Sequence, residues 1–379
     1  MPNLEIDLQL PILPEDHSVF MVRPGWRYYL YADFLASEAV APDFPYLELA
    51  DKTSPAYIKE LQNQLGRGIE FRDWLKTAKD ERGFPPSKNI DDYGLNHEDR
   101  IRMRNRLQST AQEVLWDLPD NSLIFIPAKR LDETAMTGEL SPKLSPRKLI
   151  TKKFDDAEIK YLGRSLLGAK RIPMRVFPED VTDVPKLSGL TTYKFEGYAR
   201  DRLLRAHYGD YQLGDKISMM EFISGDDRFD ARALARLTAI SDVLDNFLKT
   251  GKVVHPGDFL FSADGISGAE VHARINSKDG RVLVEAYNFT PHLLRALLLI
   301  ASMANPISAQ ELINRANSSE IKVSNSAPIH SKYDIVTDAT EQSLRNFARE
   351  AGVKNLGDIL ENLRKSSEIT KGNITGSAK

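Results

Sequence analysis

The chain of 379 residues contains no cysteine. Disulfides, thiolate-ligated zinc, iron–sulfur clusters and cysteine nucleophiles are therefore excluded together, and the composition suits a reducing cytoplasm. Seven histidines are present, none in an H-x-H or H-E-x-x-H arrangement, which argues against a zinc site. Walker-type, G-x-G-x-x-G and G-x-S-x-G loops are missing, and there is no internal repeat. No basic segment precedes an apolar run in MPNLEIDLQLPILPED, so no signal peptide is expected. The most apolar stretch, PHLLRALLLIASMANP, is interrupted by Arg295 and falls short of the roughly 20 residues a bilayer span needs. It reads as a buried helix.

What remains is ordinary globular material, 41% hydrophobic and 28% charged, with a net charge of −3. Such a chain is no polycation, so contact with nucleic acid requires a local patch. Ser18–Arg23 reads as a strand, Pro24-Gly25 as a turn, and 26–37 as a helix with Tyr31, Phe34 and Leu35 on one side. Ala56–Leu65 reads as a short helix and 81–94 as a loop. A helix follows from Asn96 to about Asp117, then the apolar strand LIFIP at 123–127. Residues 134–155 look loop-like, and 159–180 extended. Further on, helices are expected at 197–208 and 232–248, the latter closed by Gly251, with a strand at 216–223 between them. A hairpin turning at Lys278-Asp279-Gly280, a helix at 290–303, two short helices meeting at Gly352 and a frayed tail complete the chain.

Two features carry candidate chemistry. Trp26, Tyr28, Tyr29 and Tyr31 occupy a six-residue span at a strand-to-helix junction that begins at Arg23. Such rings stack on planar bases, although the same spacing also builds an ordinary helix core. Residues 143–175 hold ten basic side chains against three acidic ones, a local charge of +7. Of these, Lys143, Arg147, Lys148, Lys152, Lys153, Arg164, Lys170 and Arg171 are the candidate phosphate ligands. Arg100, Arg102, Arg104 and Arg106 spread around their helix and read as solubility. A divergent nuclease site would draw on Asp264, Glu270 and Glu285, with His272 where a lysine is usual. It would need Mg2+; otherwise no cofactor or metal is expected.

The order FMVRPG, YADFLAS, NRLQSTAQEVLWDLPDNS, LIFIP and YLGRSLLGAKRIPMRVFPED resembles the N-terminal module of Mrr-type restriction-system proteins. That module is similar to PUA-like domains such as the EVE, YTH and SRA readers, small β-barrels that bind nucleic acids and often hold a modified base. The metal triad of the Mrr nuclease half is not recognisable downstream. The resemblance covers the first half; the helix and strand pattern of the remainder completes the reading of an α+β chain. A PUA/EVE-like nucleic-acid-binding module would occupy 1–185, a mixed α/β domain of unknown role 186–325, and short helices with a flexible tail 326–379. It implies binding of DNA, with Trp26, Tyr28 and Tyr31 as stacking wall, Arg23 at a base edge or phosphate, and a role in bacterial defence. Two alternatives stay open: the metal-dependent nuclease, and an oligomeric scaffold or partner-binding subunit without nucleic-acid contact.

Overall fold

A computed structural model describes residues 3–45, 108–154, 157–186, 191–214, 217–223, 231–254, 269–274, 281–286, 290–327, 335–369 and 377–379, with isolated positions between 47 and 105. The fold is mixed α+β and divides into two compact units. One is His17–His207; the other joins Met1–Asp16 to Tyr208–Lys379. The sequence places boundaries after 185 and 325 instead, because nothing in the pattern of 1–16 reveals a partner more than 300 residues away.

The unit His17–His207 is built on one mixed sheet. Its strands are β3 (Val19–Val22), β4 (Ala39–Val40), β5 (Leu123–Ile126), β6 (Thr134–Leu140), β7 (Lys148–Phe154), β8 (Ala157–Pro173) and β9 (Thr192–Phe195). The order is β4-β8-β6-β5-β3-β9, with β7 paired to β8. β3 and β5 run parallel; the other neighbours are antiparallel.

β8 organises this unit. Its first half pairs with β7 and its second half with β6. At Gly163 it crosses β4 so closely that a Cβ would lie 2.3 Å from the Val40 carbonyl oxygen. Further along, Thr137 pairs Lys170 while Glu139 pairs Leu167, so β8 carries an extra residue there. Gly168, at φ +58°, lies in that bulge. Phe34 on α1 (Tyr31–Ser37) packs with Val22, Ile124, Ile126, Met136, Ile150 and Tyr161 in the core of this unit.

Two expectations are corrected here. Within the stretch expected as a loop over 134–155, Thr134–Leu140 and Lys148–Phe154 are strands β6 and β7, and the loop is confined to the residues between them. Within 148–153, Ile150 is buried while Lys148, Leu149, Thr151 and Lys153 are exposed, so cations mask the alternation. The helix expected from Trp26 begins only at Tyr31, after a short 3-10 turn over Trp26–Tyr28. α2 (Gly197–Tyr208) has the expected bounds.

The second unit holds two sheets. β1 (Leu4–Asp7) lies between β14 (Ile321–Ser324, parallel) and β15 (Ser377–Ala378, antiparallel), with Leu4 opposite Ile321 and Ile6 opposite Ala378. The end of the tail is thus paired, not frayed. The other sheet runs β12 (Ala269–Arg274), β13 (Arg281–Ala286), β11 (Ile217–Ile223), β10 (Tyr211–Leu213), β2 (Ile12–Leu13). The expected hairpin is β12–β13.

Helices α3 (Ala231–Thr250), α4 (Thr290–Ala301), α5 (Ala309–Asn317) and α6 (Ile335–Ile369, broken at Gly352 with φ +69°) complete this unit. Leu237, Ile240, Leu244 and Phe247 recur at helical spacing and share a core with Leu4, Ile6, Leu8 and Leu10. Ser308 caps α5 by accepting the Glu311 N–H at 3.1 Å, a serine–glutamate pair three residues apart of the kind that opens helices. Among the described residues no helix is long and apolar enough to cross a membrane.

Candidate nucleic-acid interface

The ring cluster sits on a contorted turn. Gly25 adopts φ +74° and ψ −179°, a conformation essentially reserved for glycine. A Cβ there would also lie 2.6 Å from the Tyr29 ring. Arg27 and Tyr28 follow at φ +52° and +65°, two left-handed residues with side chains in succession. Each such placement costs about 1–3 kcal/mol and persists only where the surroundings impose it.

Asp43 supplies that imposition. It is 4% exposed and accepts the Trp26 N–H at 2.8 Å, while the Tyr29 hydroxyl donates to its other oxygen. The Tyr161 hydroxyl lies 3.2 Å from that of Tyr29. Burial, reinforced by the adjacent Asp43 carboxylate, raises the Tyr29 phenol well above its usual range, so it stays a neutral donor.

The rings themselves are half-buried. Trp26 carries the Arg27 guanidinium over its ring at 4.3 Å. Tyr28 is raised chiefly by burial, against the opposing charge of Arg23. Arg23 in turn donates to the Pro185 carbonyl. The Tyr31 hydroxyl donates to the Thr134 carbonyl; burial and then Glu133 raise its pKa, and Arg171 opposes them.

The structure brings some expected cations to these rings and diverts others. Lys152 Nζ lies 2.6 Å from Asp33 on α1 and 5.9 Å from the centre of the Tyr29 ring. Arg171 is exposed and donates to the Leu35 carbonyl, also on α1, at 3.3 Å. Lys148 and Lys153 are exposed, Lys153 lying 3.9 Å from Glu158.

Arg164 is withdrawn from any phosphate. It is 1% exposed and donates to the Ser141 and Leu118 carbonyls and to Asp120. Lys170 donates to the His207 carbonyl, and burial lowers its pKa. The Arg147 guanidinium lies 6.0 Å over the Trp116 ring. The Lys143 backbone N–H donates to Asp120 at 2.9 Å.

Asp43, Asp33 and Arg27 carry no sequence signal strong enough to mark them as site residues, and Tyr29 is visible only as one ring of the cluster. Asp43 was signalled weakly, as an acidic residue inside the apolar, proline-punctuated APDFPYLEL. Asp33 carried no signal, since an acidic residue in a first helical turn is commonplace.

Of the nuclease candidates, Glu270 and Glu285 are register partners in β12–β13. Asp264 and the arginines at 100, 102, 104 and 106 lie outside the described residues. Among the described residues no group of three or more His, Asp or Glu could hold a metal ion. No protein-family model, curated protein or solved structure matches the chain.

Proposed function

We propose that this chain binds DNA through the unit His17–His207, which acts as a PUA-like module, with Trp26 and Tyr28 offering stacking surfaces beside Tyr31. Exposed Lys148, Lys153 and Arg171 would neutralise phosphates. The observation that carries this reading is the convergence on α1: Tyr31 belongs to it, Lys152 pairs with its Asp33, and Arg171 reaches its Leu35 carbonyl. The rings and part of the cationic stretch, distant in sequence, therefore adjoin one helix. The strained turn adds support, because left-handed residues with side chains cluster where function holds them. Together with the resemblance to Mrr-type modules, we infer a reader of DNA, including modified bases, in restriction-type defence.

The test is duplex binding at low and high salt, with plain and base-modified DNA. Affinity is expected to fall steeply with salt, by a log–log slope of about −3 or steeper. Trp26→Ala is expected to weaken binding by about 1–3 kcal/mol and to abolish any preference for the modified base. Equal behaviour of mutant and wild type would discard the stacking role.

A further inference from the structure

The segment Ser141–Arg147 joins β6 to β7 and is fastened at its base. Buried Arg164 holds the Ser141 carbonyl through Nε at 3.2 Å and reaches Asp120 at 2.8 Å. Asp120 accepts the Lys143 N–H at 2.9 Å, and the Ser145 N–H closes on the Pro142 carbonyl at 2.9 Å. Pro142 and Pro146 stiffen the remainder.

At the tip of this braced loop Leu144 is 100% exposed, and Leu149, just inside β7, is 55% exposed. A slack loop would fold such a side chain back onto the protein; this one holds it in water. Lys143, Arg147 and Lys148 surround it in sequence, while Asp120, the acidic group at the base, is already paired with Arg164.

A leucine flanked by cations suits a polyanion with an apolar interior. Magnitude separates the two candidates. One fully exposed leucine offers far less apolar surface than an acyl chain, and even a single myristoyl chain binds bilayers only marginally. A base step, in contrast, accommodates a single apolar side chain, as the wedges of DNA-bending proteins show. We propose that the Ser141–Arg147 loop is a wedge: Leu144 enters between stacked base pairs of a duplex while Lys143, Arg147 and Lys148 hold the flanking phosphates. The proposal rests on the DNA-binding reading above.

The experiment uses the full chain and a duplex carrying 2-aminopurine at several positions, whose fluorescence rises on unstacking. Wild type is expected to raise it. Leu144→Ser is expected to bind within about threefold of wild type with the same salt slope, yet without the rise. Changing Lys143, Arg147 and Lys148 together to Gln should instead reduce the slope by about 3. Since Leu144 touches nothing that a serine would disturb, misfolding does not confound the comparison. Binding without a rise in wild type, or a rise that survives Leu144→Ser, would overturn the wedge and leave DNA binding standing. Wild type that ignores DNA but binds phosphatidylserine vesicles in a Leu144-dependent way would overturn both.

Discussion

Arg164 keeps its charge in an interior where 1% of it meets solvent, because its planar fork is met on several sides. The Ser141 and Leu118 carbonyls and the Asp120 carboxylate all accept from it. Burial lowers its pKa to about 10, with Asp120 opposing, so it stays a cation at neutral pH. Removing it would strand two carbonyls and open a void. Arg164→Ala is expected to destabilise its unit by about 3 kcal/mol, and Arg164→Lys to recover little, since an ammonium cannot span the same acceptors. Urea unfolding followed by tryptophan fluorescence measures this cleanly. All three tryptophans, Trp26, Trp74 and Trp116, belong to the unit His17–His207.

At the scale of elements, α4 shows how an apolar helix accommodates polar residues. Arg295 Nε donates to the Leu8 carbonyl at 2.7 Å, and its guanidinium pairs with Asp210. His292 Nε2 faces the Gln212 side-chain oxygen at 2.7 Å. Burial, with help from Arg295, lowers the His292 pKa to about 3. The unfolded chain therefore takes up a proton near pH 6.5 that the folded chain refuses. Stability is complete above pH 6.5 and is lost progressively as pH falls from there toward 3. His207, held beside the Thr137 hydroxyl at 2.9 Å and lowered by burial to about 4, gives the other unit a loss of the same sign between 6.5 and 4. Urea midpoints by far-UV circular dichroism should therefore fall on acidification, and His292→Gln should flatten that fall without altering the fluorescence-monitored transition.

Legibility in the sequence followed local contrast. α2 and α3 were readable because apolar residues recur there against a polar background, and LIFIP because it is continuous. β7 was not, since Lys148, Lys152 and Lys153 break its alternation. The rings of the candidate site were visible as a cluster in sequence. Their organiser, Asp43, was not, because its role arises from contacts across 14 to 17 positions. Nor could charge counting separate Arg164, spent on carbonyls, from Arg171 at the surface.

At the scale of the molecule, the decisive fact is that the first 16 residues belong with the last 172. β1 is the middle strand of its sheet, and Leu4, Ile6, Leu8 and Leu10 are all 2% exposed or less. A fragment comprising His17–His207 is expected to unfold cooperatively in urea, with a tryptophan transition close to that of the intact chain. A fragment starting at Tyr208 is expected to lose cooperative unfolding by circular dichroism, and adding a peptide of residues 1–16 should restore it. A cooperative transition in that fragment without the peptide would show that β1 is dispensable.

The pairing of Ile6 with Ala378 also bears on how the chain comes into being. During synthesis from the N-terminus, residues 17–207 have all their internal contacts available once the ribosome has extruded them. β1, made before any of them, has no neighbour until Ile321–Ser324 and then Ser377–Ala378 emerge. Leu4 and Ile6 therefore wait without a sheet to join while the intervening chain is made. A strand so far in sequence from both of its neighbours is exposed to mispairing until they are made, which is a characteristic hazard in the folding of larger chains.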